Sequence, residues 1–593
     1  MRFKSLIGAF AALLFMSIGT AAGAAAYKNF RAAIYITVGD TRKLADPAEF
    51  EREFARVHSQ LDFDKVYIEA YRNHEFATDA ELDTVKREFQ AKGIETSGGI
   101  TLAAGGSGGQ FGTFDYENPA DRAECEKAVR LIARHFDEVI LDDFFFYTSK
   151  SDADIAAKGA RSWTDYRLAK MNEAARDLVL GPAKQENPRV RMIIKYPNWY
   201  EHFQGLGYDL AAEAHAFDAI YTGTETRDPV ITDQLLQQYE SYEIYRYLSN
   251  VRPGANLGVW VDTYSIRTID RYAEQLWDGL FAKAPEQMLF NWSAMADPKP
   301  ATPGTRPWAR EATNFRWPVA RGNGWASAAN EALHVADGVL GQLGNPVGVA
   351  SYRPPHVTGE DFLHNYIGNL GVPIELYPTY PANAHTILLT EAAAADPDII
   401  AKIRKSLEGG ANVIVTSGFL TATQDRAFGQ LAEWNTTGHI VSIDRYFDGF
   451  GAGNGTELKE PGKTAPVLFP QVHFFTNDSW GIIRGVAAEK GFPIVLMNHY
   501  SKGTLYLWTM PENFGDLYNL PQPMITRIKQ YLFGDLPVQI DAPDHVALFT
   551  YDNGAFVVEN FRDDAAKVGI DRKGQRDEIV TIPPHSFRVF GRN

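Results

Sequence analysis

Two adjacent carboxylates, Asp142 and Asp143, close the short apolar run Glu138-Val139-Ile140-Leu141 and open the aromatic run Phe144-Phe145-Phe146-Tyr147. Paired carboxylates suit acid–base work, because the charge on one disfavours ionisation of the other and keeps a proton available near neutral pH. Side chains alternate along a strand, so at most one of the two is expected to point straight into a site at the strand's end. The bland alternative is that both acids cap a turn or pair with nearby Lys and Arg. Further candidate groups recur along the chain: Asp40; Glu69, Tyr71 and Arg72; Lys195, Tyr196, Asn198, Trp199 and Tyr200; Tyr221 through Asp228, including Glu225 and Arg227; Trp260, Asp262 and Tyr264; Asn291 and Trp292. Acids beside flat aromatic faces are what glycosidic-bond hydrolysis asks for. It needs a proton donor for the leaving oxygen and a second group that attacks or activates water at the anomeric carbon. Within that chemistry Asp143 is one catalytic carboxylate and Asp142 its charged neighbour. Glu225, with its longer reach and apolar walls near Tyr221, is the favoured acid/base, and Asp262 is the reserve. Lys195 would steady a charge or bind a hydroxyl, and Trp199, Trp260, Tyr264 and Trp292 would offer faces to a sugar ring. Asp40, Glu69, Tyr71, Tyr196, Tyr221 and Asn291 complete the expected substrate contacts. Plain packing is the alternative for each aromatic, and an ion pair with Asp228 or Glu225 is the alternative for Arg227.

These groups share one feature: each follows a strand-like run. Strands are expected at 32–38, 65–69, 95–102, 138–141, 191–196, 219–222, 257–261 and 287–290, with amphipathic stretches at 47–61, 79–92, 121–136, 163–180 and 269–281 between them. Short buried apolar runs suit a parallel sheet covered on both faces. Eight of them alternating with helices predict a (β/α)8 TIM barrel, whose active sites form at the carboxyl ends of the strands. The glycine run 105–109 follows the third strand; it lacks the Lys-Ser/Thr of a phosphate loop and reads as a mobile lid.

The chain of 593 residues is too long for one ordinary domain. Its net charge of −16 and lack of a basic stripe argue against a nucleic-acid surface. Arg2 and Lys4, a short apolar core at 6–18 and the small residues 21–26 read as an export signal. That core is too short for a comfortable membrane span and no later run is long enough, so a soluble, exported mature chain is expected, periplasmic or extracellular. A single Cys125 cannot form an internal disulfide, and it falls in an apparent helix as a packing residue. No Cys/His cluster has zinc spacing, so neither metal nor cofactor is expected.

A proline-bearing linker at 298–322 leaves the barrel. A second α/β pattern follows, with strands at 347–350, 373–376, 386–390, 412–416, 494–497 and 503–509 and helices at 359–370, 398–409 and 523–532. It resembles the class-I amidotransferase-like or flavodoxin-like domain. An amidotransferase needs a nucleophilic Cys after its central strand, and Thr416-Ser417-Gly418 stand there instead. A small β-domain ends the chain, signalled by the hairpin 546–560 around Asp552-Asn553-Gly554 and by strands at 579–582 and 586–590. The expected division is 1–26 signal, 27–320 catalytic barrel, 321–536 amidotransferase-like domain and 537–593 β-domain.

This order of domains resembles the family 42 β-galactosidases, which place a Glu acid/base after strand four and a Glu nucleophile after strand seven. Here Asp142-Asp143 and Asp262 hold those places. The resemblance implies that the second domain mediates self-association. A shorter likeness, in Asp142-Asp143, Tyr221-Thr222-Gly223 and Trp260-Val261-Asp262-Thr263-Tyr264, is to the family 84 hexosaminidases. There the first Asp of the pair orients the substrate acetamido group and the second is the general acid. Three readings follow: an exported glycoside hydrolase acting on an oligo- or polysaccharide, a substrate-assisted N-acetylhexosaminidase, and a non-catalytic carbohydrate-binding envelope protein. Mass spectrometry of the exported protein is expected to find an N-terminus near Ala26 or Tyr27, and an intact Met1 would contradict the export signal.

Overall fold

The computed structural model describes residues 25–104, 112–231, 236–300, 324–449, 455–573 and 578–591. The export signal up to residue 24, the glycine run and most of the proline-bearing linker lie outside the described residues. All eight expected barrel strands are present: β1 (Arg31–Ile36), β2 (Lys65–Glu69), β3 (Glu95–Ile100), β4 (Glu138–Leu141), β5 (Arg191–Tyr196), β6 (Ala219–Gly223), β7 (Asn256–Asp262) and β8 (Glu286–Phe290). Each pairs in parallel with its neighbour in sequence, and β8 returns to β1 to close the barrel. Helices run outside, started by polar caps where the chain turns back: Asp46 caps Pro47–His58, Thr78 and Glu81 form a capping box on Asp79–Ala91, and Asn118 caps Pro119–His135. Cys125 is buried in the last of these helices.

Alternation divides the strands between two cores. Ala33, Tyr35, Tyr67, Ile140, Ile193, Ala219, Tyr221, Trp260 and Met288 fill the barrel interior, while Ile34, Val66, Val139, Leu141 and Ile194 face the helices. Aromatic rings this large fit inside because two inward positions carry no side chain. A Cβ added at Gly99 would stand 2.8 Å from the Tyr35 ring, and one at Gly258 would stand 2.5 Å from the Tyr221 ring. The barrel is therefore plugged below its carboxyl end, with one polar cluster at the mouth and a second, of Lys65, Tyr67, Glu138 and Glu286, at the floor.

Beyond the barrel, five parallel strands (Ile374–Tyr377, Val349–Tyr352, Thr386–Leu389, Asn412–Thr416 and Gly503–Trp508) lie side by side. Four antiparallel strands, Lys490–Tyr500, Trp480–Ala487, Arg445–Asp448 and Thr456–Leu458, extend the same sheet. The expected helix at 359–370 shortens to Leu363–Gly368, because Glu360 and Phe362 take left-handed backbone at φ 47° and 64°. Where an amidotransferase would carry its cysteine, the Glu360 carboxylate accepts hydrogen bonds from Gly418 N at 3.0 Å and from the Thr416 hydroxyl. The C-terminal unit is a pair of small antiparallel sheets, one of which recruits Pro346–Val347 from the start of the α/β domain. No helix of the described residues is long and apolar enough to cross a membrane.

Gly258→Ala is expected to destabilise the protein by about 1–3 kcal/mol through overpacking of the barrel interior. Gly338→Ala, in the helix Trp325–Leu340 where an added Cβ meets nothing, is expected to be neutral or stabilising. Denaturant unfolding of the two variants measures the contrast.

Candidate active site

At the carboxyl end of β5 the chain places a lysine where alternation sends it inward. Lys195 is almost fully buried, and its Nζ lies 2.7 Å from Asp143 Oδ2, 2.7 Å from Glu225 Oε1 and 3.4 Å from Asp142 Oδ1. The same nitrogen sits 4.3 Å from the centre of the Trp260 ring. Strands β4, β5 and β6 are adjacent, so the residues just past their ends converge without long excursions. Both aspartates reach the lysine, contrary to the alternation argument, because the strand ends at Leu141 and the pair lies in the turn beyond it.

Each carboxylate has its own surroundings. Asp142 is held below the usual carboxylate range: burial works against ionisation, but Lys195 and the Arg72 guanidinium outweigh it. Arg72 Nη2 donates to Asp142 Oδ2 at 3.0 Å, and its Nε donates to both oxygens of Glu69 at 3.1 Å. Thr101 sits between these two acids and donates to Glu69. Asp143 is pushed up to about 7 by burial first, against the pull of Lys195 and with the charges of Asp142 and Glu225 beside it. Its side chain remains 13% exposed, against 4% for Asp142 and 6% for Glu225. Glu225 is also raised, by burial first, with Lys195 lowering it and Asp262 raising it. Lys195 is raised above the ordinary lysine value: burial opposes its charge, and the three carboxylates more than offset that.

The backbone is fitted to this cluster. A Cβ at Gly223 would stand 2.5 Å from Glu225 Oε2, so glycine there leaves room for the acid to fold back over β6. Asn198 Nδ2 donates to Glu225 O at 2.8 Å, and the Tyr208 hydroxyl donates to Asp143 O. Asp262 faces the mouth but is engaged: Arg227 Nη2 donates to it at 2.8 Å and Tyr264 N at 3.0 Å. Arg227 therefore pairs with Asp262, not with Asp228 or Glu225, and Asp228 turns away to Arg267. Aromatic faces flank the acids on two sides. Trp260, Phe290 and the 56%-exposed Tyr264 form one, with ring centres 5.4 and 6.3 Å apart. Phe144, Phe146 and Trp199 form the other, with spacings of 6.2 and 5.8 Å.

Among the other expected contacts, Glu69 lies within the cluster, while Asp40 and Asn291 sit at the rim. Asp40 accepts from Ser293 Oγ at 3.2 Å, and Asn291 caps the helix Trp292–Ala296. Five expectations are corrected. Trp260 is only 2% exposed and packs in the barrel interior, so it offers no free face to a sugar. Tyr71 is buried on the helix side, its hydroxyl donating to Glu124 at 3.0 Å. Tyr196 follows inward-facing Lys195 and so faces outward, donating to Glu213 at 3.1 Å. Trp292 packs against Phe63 and Phe89, its Nε1 donating to Glu53 at 3.1 Å. Tyr221 points inward but below the mouth, its hydroxyl 3.3 Å from Glu286 near the barrel floor. Sequence reasoning missed Thr101 and Tyr208, and it did not connect Arg72 to Asp142. A threonine just past a strand end carries no signal of its own, and Tyr208 arrives from a loop with no local pattern.

A closed parallel barrel whose mouth gathers buried acids between aromatic faces has the architecture of the glycoside-hydrolase barrels. The chain belongs to the family described as "Probable glycosyl hydrolase, catalytic domain", which it matches over residues 19–343. Residues 344–513 match the second domain of the uncharacterised protein SSO3021, and 537–580 match "Probable glycosyl hydrolase, C-terminal domain". That SSO3021 protein, from Saccharolobus solfataricus, is 26% identical over 305 residues, which cover 46% of this chain and 50% of the relative. The chain thus spans about half the length of the curated relative it matches. Among solved structures, the family 42 β-galactosidase Gan42B of G. stearothermophilus superposes with a TM-score of 0.63 at 10% identity, covering 95% of this chain and 98% of its own. The cold-adapted β-galactosidase of Rahnella sp. R3 gives 0.61 at 11% identity, with coverages of 95% and 98%. α-L-Fucosidase isoenzyme 2 of Paenibacillus thiaminolyticus gives 0.60 at 8%, with coverages of 94% and 98%. Identities this low show a shared fold and nothing finer.

Lys195→Met removes the only cation among the described residues that touches all three acids. Leaving buried charges uncompensated costs about 3–5 kcal/mol. Unfolding measurements are expected to show that loss near pH 7 and a smaller one near pH 4, where the carboxylates can take up protons.

Proposed function

We propose that the protein is a glycoside hydrolase in which Asp143 donates the proton and Glu225 is the opposing carboxylate. The observation that carries this reading is the shared lysine: one oxygen of each acid lies 2.7 Å from Lys195 Nζ. Those two oxygens can be no farther apart than twice that distance. This favours the short carboxyl separation of retaining enzymes, about 5–5.5 Å, over the wider inverting one of about 6.5–9.5 Å. The donor role goes to Asp143, not Glu225, because Asp143 is the more exposed of the two and keeps its proton up to about 7.

In this mechanism Asp143 protonates the glycosidic oxygen as the bond to the anomeric carbon breaks. The Glu225 carboxylate attacks that carbon and forms a glycosyl ester. Asp143, now ionised, takes a proton from water, whose oxygen displaces Glu225 and restores both groups. Lys195 stabilises whichever carboxylate is charged at each stage. Asp142, kept ionised by Arg72 and Lys195, holds up the proton affinity of Asp143. Phe290 and Tyr264 form a platform for one sugar and Trp199 with Phe144 for its neighbour, which favours an oligo- or polysaccharide substrate. The export signal read from the sequence would put the enzyme with such substrates outside the cytoplasm.

Asp143→Asn and Glu225→Gln are each expected to lower kcat on a panel of 4-nitrophenyl glycosides by about 10²–10⁴ while leaving folding intact. Wild-type kcat should fall as pH rises through about 7, since the donor works only while protonated. It should also fall in acid as Glu225 takes up its proton. Near-normal turnover in Glu225→Gln with an inactive Asp143→Asn would favour the substrate-assisted hexosaminidase instead. No turnover by wild type on any glycoside or polysaccharide, with sugar binding retained, would favour a non-catalytic binding protein.

A further inference from the structure

The helix Ile269–Phe281 lies behind β7 and carries buried polar residues, among them Arg271, Glu274, Gln275 and Asp278. Their spacing of three and four puts them on one stripe of the helix. Two of them engage the loop that bears Glu225. Gln275 Oε1 accepts from Arg227 N at 2.8 Å, and Arg271 Nε lies 3.8 Å from Asp228 Oδ1. Asp228 also accepts from Arg267 N at 3.3 Å and from Val230 N at 3.1 Å, so it anchors the loop's far end.

The same stripe engages the C-terminal β-domain. Glu274 Oε2 is 2.7 Å from Arg271 Nη1, and its Oε1 is 2.6 Å from His585 Nδ1. His585 Nε2 is 2.8 Å from Asp563 Oδ1. The result is an unbroken series of alternating charges, Asp563, His585, Glu274, Arg271 and Asp228, running from the β-domain to the mouth. His585 is 1% exposed at its side chain and pushed up to about 9: burial opposes its charge, and Glu274 and Asp563 outweigh burial. The other ionisable groups around it are Arg271, Arg267 facing Asp563, Asp270, and beyond Glu274 the buried Asp278–Glu559 pair. The loop needs restraint, because Arg227 holds a left-handed backbone at φ 58° directly beside the anchored Asp228.

We propose that His585 is a positioning residue: as a buried cation it fixes Glu274 and Arg271, and through them the Glu225–Asp228 loop, so that the C-terminal β-domain sets the geometry of the mouth. This rests on the catalytic reading of Glu225. The positioning itself is readable without turnover.

The test uses the full-length protein with His585→Gln and Asp563→Asn, read by amide hydrogen exchange corrected for intrinsic rates and by kcat on a glycoside that wild type cleaves. His585→Gln is expected to reduce protection of residues 225–231 at pH 6 while the barrel strands stay protected. It should lower kcat by roughly tenfold to a hundredfold with KM little changed, the signature of a displaced catalytic group. In wild type, protection of the loop should fall as pH rises through about 9, where His585 loses its proton. Asp563→Asn, which leaves the cation but removes one of its carboxylates, should bring that fall to lower pH, and it carries the test if His585→Gln does not fold. Unchanged loop protection in His585→Gln, or an Asp563→Asn profile identical to wild type, would overturn the proposal. Loss of protection in a protein that cleaves no glycoside would leave the positioning intact and sink the hydrolase reading instead.

Discussion

One buried ammonium among three carboxylates governs this mouth. Lys195 cannot neutralise Asp142, Asp143 and Glu225 together, and the low-dielectric interior makes any uncompensated charge expensive. The conflict is resolved by unequal surroundings. Asp142 has a second cation in Arg72 and ionises readily, while Asp143 has none and keeps its proton. Two neighbouring aspartates thereby acquire opposite protonation habits, which is the condition for acid–base chemistry near neutral pH.

The rest of the barrel serves that arrangement. Its interior is filled with Tyr35, Tyr67, Tyr221 and Trp260, with Tyr35 seated over Gly99 and Tyr221 over Gly258. Trp260 then meets Lys195 with its ring, adding a polarisable wall to the charged cluster. On the outside, the helix Ile269–Phe281 carries an ionic stripe that joins the mouth loop to a domain more than three hundred residues away in sequence. Charge pairing recurs at both levels: Lys195 is shared by three acids at the mouth, and Arg271 and His585 alternate with acids along the helix.

The barrel was legible because each strand is a short apolar run bounded by polar or turn residues, and runs such as Lys65–Glu69, Glu138–Leu141 and Arg191–Tyr196 need no tertiary information to be seen. The separate two-stranded sheet of Asn435–Ile443 and Val467–His473 was not legible, since its first strand is largely exposed and carries little apolar periodicity. Within the site, the carboxylates Asp142, Asp143 and Glu225 and the lysine were found from their place after strands. Three errors were errors of parity, whereas Tyr221 and Trp260 point inward but lie in the packed interior. Tyr196 is one residue from Lys195 and faces the opposite core, and Tyr71 and Trp292 likewise turn to the helix layer. Pairings between neighbouring strand ends, such as Arg227 with Asp262, or between domains, such as Glu274 with His585, depend on three-dimensional closure and leave no local trace.

The central claim is that Asp143 gives up its proton only near pH 7, because burial and the charges of Asp142 and Glu225 outweigh its share of Lys195. Difference infrared spectroscopy of the carboxyl C=O stretch between pH 5 and 9, comparing wild type with Asp143→Asn, tests it without any substrate. The account predicts that wild type loses one carboxyl band more than the variant with a midpoint near pH 7, over the Glu201 and Glu360 carboxyls that titrate near 7 in both. Identical titration of both proteins across that range would show that Asp143 is already ionised, and would contradict the account.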